Sequence, residues 1–262
     1  MHQFRIKVGA HTVQVYQWGE GLTPIVAWHG FRQNGRAFAK MGALLPEGYT
    51  LYAPDLPFHG ETDWQADEYG VADLWAVVDQ LPGYSQREVP VVLVGFSLGG
   101  YLAGGMAMAR PEGTQSLLLL APDTRLTTWG WLTHRVPYAW RVRLQHWLDK
   151  PGRLLQLADR LYRFGMLDRF ALAFLHRTVA DRDRRWQLFG TWRARAHFPF
   201  TFAGLQQLKC PLQVVLGRQD PLIPVDSLQK RMGKYARTVL VDSGHDLLPI
   251  AGQWVEQIAN DL

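Results

Sequence analysis

Polar and apolar residues alternate over Gln3–Val8 and again over Thr12–Trp18, with only Gly9, Ala10 and His11 between the two segments. A period of two marks strands with one buried face, and so short a connection joins them as a hairpin. Beyond Trp18 the pattern changes. Pro24–Trp28, Thr50–Ala53, Pro90–Val94, Ser116–Ala121, Leu212–Leu216 and Thr238–Val241 are short, nearly unbroken apolar runs, as expected of strands covered on both faces of a parallel sheet. Between them, Gly35–Leu45, Glu68–Leu81, Leu98–Arg110, Val225–Lys234 and Leu247–Asp261 carry apolar residues at helical spacing. Buried strands alternating with amphipathic helices build βαβ units with right-handed crossovers. The expected fold is α/β, with about eight mostly parallel strands and helices on both faces.

From about Leu126 to Phe200 the alternation stops. Gly152–Phe164, Met166–Val179 and Asp181–His197 repeat Leu, Tyr and Phe at three- and four-residue spacing, and no convincing strand interrupts them. This predicts an all-helical cap, residues 125–200, inserted after the sixth strand of a core domain made of residues 1–124 and 201–262. Such an insertion lies over the C-terminal edge of the sheet, where open α/β sheets bind ligands.

Composition adds little to this picture: 47% of the 262 residues are hydrophobic and 19% charged, ordinary for a globular chain. No run of about 18 apolar residues occurs and Met1–Ala10 has no leader-like layout, so a cytoplasmic protein without stable membrane insertion is expected. The single cysteine, Cys210, excludes an internal disulfide and reads as a buried structural thiol. Charge is uneven. Asp123–Phe200 holds 15 Lys and Arg against 6 Asp and Glu, a balance of +9, while the rest holds 13 against 17, a balance of −4. Solvated outer faces of helices account for such arginines, and without an accompanying motif no nucleic-acid partner is expected.

The chemistry concentrates in a few loops. Gly95-Phe96-Ser97-Leu98-Gly99-Gly100 directly follows an apolar strand and opens a helix. This G-x-S-x-G layout holds a serine on a turn too tight for side chains at Gly95 and Gly99, with its Oγ exposed beside a helix N-terminus. A serine hydroxyl needs a base to take its proton. Of nine histidines, His245 in Ser243-Gly244-His245-Asp246 follows the last strand and so reaches the same sheet edge. A carboxylate must then hold the imidazole. Asp220 ends the seventh strand and completes the order Ser, Asp, His; Asp123, at the end of the sixth, is the rival. Two amide donors must face the developing oxyanion, and those of Leu98 and of Phe31, in Trp28-His29-Gly30-Phe31, are the candidates. Gly30 would let the backbone approach the substrate, and His29 would be structural.

His29-Gly30-Phe31, Pro54-Asp55-Leu56-Pro57-Phe58-His59-Gly60, Gly95–Gly100, Gly217–Asp220 and Gly244-His245 resemble, in order, the landmarks of the α/β-hydrolase superfamily, over nearly the whole chain. Phe58 departs from the glycine usual in the second landmark. The helical insertion is similar to the caps of carboxylesterases, carbon–carbon bond hydrolases and a triad-bearing lyase. Superfamily dehalogenases and epoxide hydrolases carry Asp where Ser97 stands here. The resemblance implies a serine hydrolase that uses no metal or organic cofactor. Its first expected activity is cleavage of a small-molecule ester or thioester through an acyl-enzyme, in a pocket that Trp129, Trp131, Phe170, Phe174 and Trp192 could line. Attack on the carbon skeleton of an anionic substrate is the alternative, motivated by the cap arginines. A binding scaffold that has lost catalysis is the third reading.

Overall fold

The computed structural model describes residues 1–84, 89–124, 136–137, 139–140 and 151–254. A single eight-stranded sheet runs through it, formed by β1 (His2–Val8), β2 (His11–Trp18), β3 (Thr23–Trp28), β4 (Tyr49–Pro54), β5 (Val91–Phe96), β6 (Thr114–Leu120), β7 (Leu212–Gly217) and β8 (Arg237–Val241). Their order across the sheet is β1-β2-β4-β3-β5-β6-β7-β8. β1 pairs antiparallel with β2 and β2 with β4, and every other pairing is parallel. The alternating N-terminal segments thus form the hairpin, and the unbroken apolar runs form the parallel strands. β5 is buried at all six positions, as a strand covered on both faces must be.

The sheet is accompanied by helices α1 (Ala39–Ala43), α2 (Val71–Asp79), α3 (Leu98–Ala109), α4 (Pro151–Arg163), α5 (Arg169–Ala180), α6 (Arg182–Ala194), α7 (Phe202–Leu205) and α8 (Val225–Met232). α3 packs across β3, β5 and β6 and is buried from Leu98 to Ala107, so it stands in the interior. Where helix was expected from Glu68, α2 starts at Val71, because Asp73 accepts a hydrogen bond from the Gly70 amide and caps the helix there. The expected terminal helix opens as a 3₁₀ turn at Leu248–Ile250, and its last residues lie outside the described ones.

Within the expected insertion, α4 packs along α5 and α5 against α6. Asp168 and Asp181 cap α5 and α6 by accepting from the amides of Ala171 and Arg184. α6 is tied to the core by the Trp186 ring stacked on Phe58 and by Arg193 paired with Glu68 at 3.3 Å. Residues 125–135 and 141–150, and with them Trp129 and Trp131, lie outside the described residues. Cys210 is half-buried rather than buried, and burial pushes its thiol pKa up.

Candidate active site

β5 ends at Phe96 and α3 begins at Leu98, leaving Ser97 alone to turn the chain. Its φ of 52° and ψ of −113° lie in a region L-residues rarely adopt. Backbone bonds on both sides hold it there: its amide donates to Leu120 O at 2.9 Å, and its carbonyl accepts from Gly100 at 3.0 Å and Asp123 at 2.9 Å. The flanking glycines are required by contact. A Cβ at Gly99 would strike the Trp28 carbonyl, and one at Gly95 the Gly99 carbonyl.

Asp220 and His245 are brought to this turn by the loops after β7 and β8. Those loops are laced together, since Gln219 N donates to Ser243 O at 3.0 Å and Gly217 approaches the Gly244 carbonyl too closely for a side chain. His245 Nε2 lies 3.0 Å from Ser97 Oγ and its Nδ1 2.7 Å from Asp220 Oδ2. The Asp220 side chain is 1% exposed, and its Oδ1 accepts from the amides of Leu222 at 2.8 Å and Ile223 at 3.1 Å. A carboxylate only accepts, so the proton sits on Nδ1 and leaves Nε2 free to receive one from the serine hydroxyl. The Phe96 ring lies 5.3 Å from the imidazole, tilted 45° to it.

Asp123, the rival carboxylate, is held by Arg195: Nη1 to Oδ2 at 2.6 Å and Nη2 to its carbonyl at 3.2 Å. Arg195 is 7% exposed, lies over the Tyr101 ring at 4.5 Å, and receives the Tyr101 hydroxyl on its carbonyl. The expectation of solvated arginines therefore fails at Arg193 and Arg195, both buried and both ion-paired, while Arg153, Arg160, Arg163 and Arg169 are exposed. No helical periodicity distinguishes the two groups in the sequence, because the acidic partners sit far away along the chain.

On the other side of Ser97 lies the loop after β3. Fully buried His29 donates from Nδ1 to Gly30 O at 2.8 Å and accepts on Nε2 from the Leu56 amide at 3.0 Å, joining the loops after β3 and β4. The Gly30 amide is taken by Gln33 Oε1 at 2.9 Å, a partner that no sequence motif pointed to. A Cβ on Gly30 would sit 3.0 Å from both Gln33 Oε1 and the Phe96 ring, so the glycine leaves room for these two side chains. Phe31 follows it, and Leu98 supplies one of the α3 N-terminal amides that have no acceptor within the helix.

Asp55 is structural. Its carboxylate accepts from Gly35 N at 2.7 Å and Glu61 N at 2.8 Å, and burial raises its pKa. Phe58 adopts φ 66°, the left-handed region that glycine enters freely, and its ring occupies the space a side chain at Gly190 would need. Among the described residues no group of three or more His, Cys, Asp or Glu is placed to hold a metal ion.

Burial lowers the pKa of His29 to about 3 and that of His59 to about 4. Both therefore stay neutral in the folded protein at pH values where an unfolded chain, titrating near 6.5, binds protons. The resulting stability is complete above pH 6.5 and is lost as pH falls toward 4, at up to about 1.4 kcal/mol per pH unit for each histidine. A His59→Gln variant should accordingly lose melting temperature less steeply than wild type between pH 6.5 and 4. Parallel curves over that window would contradict this.

The family model described as "Alpha/beta hydrolase family" matches residues 25–260. The chain is 35% identical over 118 residues to Lipase LipV of Mycobacterium tuberculosis, a match covering 44% of this chain and less than half, 43%, of that protein. It is 33% identical over 220 residues to the pimeloyl-[acyl-carrier protein] methyl ester esterase of Chromobacterium violaceum, covering 77% of each. Among solved structures, a thioesterase domain from the curacin biosynthetic pathway superposes with a TM-score of 0.66 at 21% identity, over 99% of both chains.

Proposed function

The chain belongs to the alpha/beta hydrolase family, and on that footing we propose that it is a serine hydrolase cleaving small-molecule carboxylic esters or thioesters. Ser97, His245 and Asp220 act as its triad. The observation that carries this reading is the unbroken hydrogen-bonded line from Ser97 Oγ through both imidazole nitrogens to a carboxylate already fixed by two amides.

In the cycle, Ser97 Oγ bonds to the substrate carbonyl carbon as its proton passes to His245 Nε2. The carbonyl oxygen becomes an oxyanion facing the amides of Phe31 and Leu98, each such donor contributing on the order of 3 kcal/mol to the transition state. The bond to the leaving oxygen or sulfur breaks, and that atom takes the proton from Nε2. Water then gives a proton to Nε2 and attacks the acyl group, and Ser97 Oγ departs with that proton as the acid is released. Residues 125–200 serve as the cap and residues 1–124 and 201–262 as the core, and the working compartment is the cytoplasm. The named ester substrate of the Chromobacterium relative favours an acyl ester.

The alternative, cleavage at the carbon skeleton of an anionic substrate, needs cap arginines turned inward. Among the described residues the two buried ones, Arg193 and Arg195, are already paired with Glu68 and Asp123. This weakens that reading relative to the ester one. A fluorophosphonate probe is expected to label wild type stoichiometrically and Ser97→Ala not at all; wild type that keeps its circular dichroism spectrum and takes no label would remove the proposal.

A further inference from the structure

Arg153, Leu157, Arg160 and Phe164 recur every three or four residues along α4 and into the turn after it, so they share one face. That face meets solvent. Leu157 is 43% exposed and Phe164 81%, and Met166, in the turn that follows, is 72% exposed. Arg153, Arg160, Arg163 and Arg169 are exposed around these side chains. The display is built into the corner between α4 and α5: Gly165 turns at φ 71°, and the amides of Phe164, Gly165 and Met166 bond back to Arg160, Tyr162 and Leu161. Two acids fall between residues 151 and 169, and each is engaged locally. Asp159 Oδ1 bonds His176 Nε2 at 2.8 Å, and Asp168 caps α5.

Three large apolar side chains within ten positions are costly to leave in water. Interleaved with exposed cations at the corner between two helices, they fit the boundary between lipid headgroups and acyl chains, where apolar groups enter the bilayer edge and arginines meet phosphate. We propose that the α4–α5 corner is a peripheral docking surface for an anionic lipid bilayer. Charge complementarity selects this occupant. A second copy of the chain would set the same arginines against one another across a twofold interface, and a neutral bilayer would leave them without partners. Docking does not require crossing the bilayer, and no helix among the described residues is long and apolar enough to do so.

The test is co-sedimentation of the whole chain with sucrose-loaded vesicles of phosphatidylglycerol and phosphatidylcholine, and with vesicles of phosphatidylcholine alone. Wild type should partition strongly to the first and weakly to the second, with binding reduced in 0.5 M salt. Phe164→Ser with Met166→Ser should weaken partitioning on the order of 100-fold, and Arg160→Gln with Arg163→Gln on the order of 25-fold, about fivefold per arginine. All four positions are exposed, so melting temperature and fluorophosphonate labelling should stay at wild-type values, which separates this surface from the catalytic proposal. Equal binding to both vesicle types, full binding by the Phe164 and Met166 double variant, or a wild-type dimer that this variant dissociates would each overturn the assignment.

Discussion

Ser97→Ala is expected to lower kcat by about 10⁶-fold, His245→Ala to lower it nearly as far, and the double variant to be no worse than either alone. The reason lies in the 3.0 Å contact between Ser97 Oγ and His245 Nε2. The imidazole is useful only while there is a hydroxyl to deprotonate, and the hydroxyl attacks only when the imidazole takes its proton, so the second deletion removes nothing further. A residual rate above that of water should persist, since the proposed oxyanion donors, the amides of Phe31 and Leu98, belong to the backbone and survive both substitutions. Turnover of a chromogenic ester by all three variants measures this. Losses that multiply in the double variant would mean that the two residues act independently, contrary to the cycle proposed.

Asp220→Asn should cost about 10⁴-fold in kcat while leaving the fold intact. Asp220 uses one oxygen to accept two backbone amides and the other to accept His245 Nδ1–H. Asparagine has a single acceptor oxygen. If that oxygen keeps the amides of Leu222 and Ile223, the new NH₂ group faces Nδ1 and forces it to accept, which moves the ring proton to Nε2 and blocks uptake of the serine proton. If the amide flips, two backbone donors lose their acceptor. Comparing kcat with the thermal unfolding midpoint separates the cases: a large kcat loss at an unchanged midpoint marks the tautomer effect. A loss smaller than about tenfold would exclude Asp220 from the role assigned to it.

Much of this architecture is written in local pattern. The parallel strands were legible because a strand covered on both faces must be apolar throughout, and β5 is apolar or glycine at all six positions. The turn at Ser97 was legible because contact leaves no alternative to glycine at Gly95 and Gly99. The choice between Asp220 and Asp123 was not legible from strand ends alone, since both residues follow strands of the same sheet. What distinguishes them spatially is Arg195, 72 residues beyond Asp123, whose guanidinium occupies the Asp123 carboxylate. Gln33 escaped notice for a related reason, because its bond to the Gly30 amide depends on the path of a loop and not on a periodicity. Burial of Arg193 and Arg195 was hidden in the same way: a helix with arginine at many positions reads as solvated until its distant partners are placed.

The fit between Phe58 and Gly190 makes two parts of this protein non-interchangeable in any recombined version. Because the Phe58 ring fills the hollow left by the missing side chain, a bulkier residue at 190 grafted from another sequence would collide with it. Conversely, a donor scaffold with glycine at 58 would leave a void beneath Trp186. Chimeras that exchange residues 125–200 should therefore carry position 58 across with position 190, as one inherited lock.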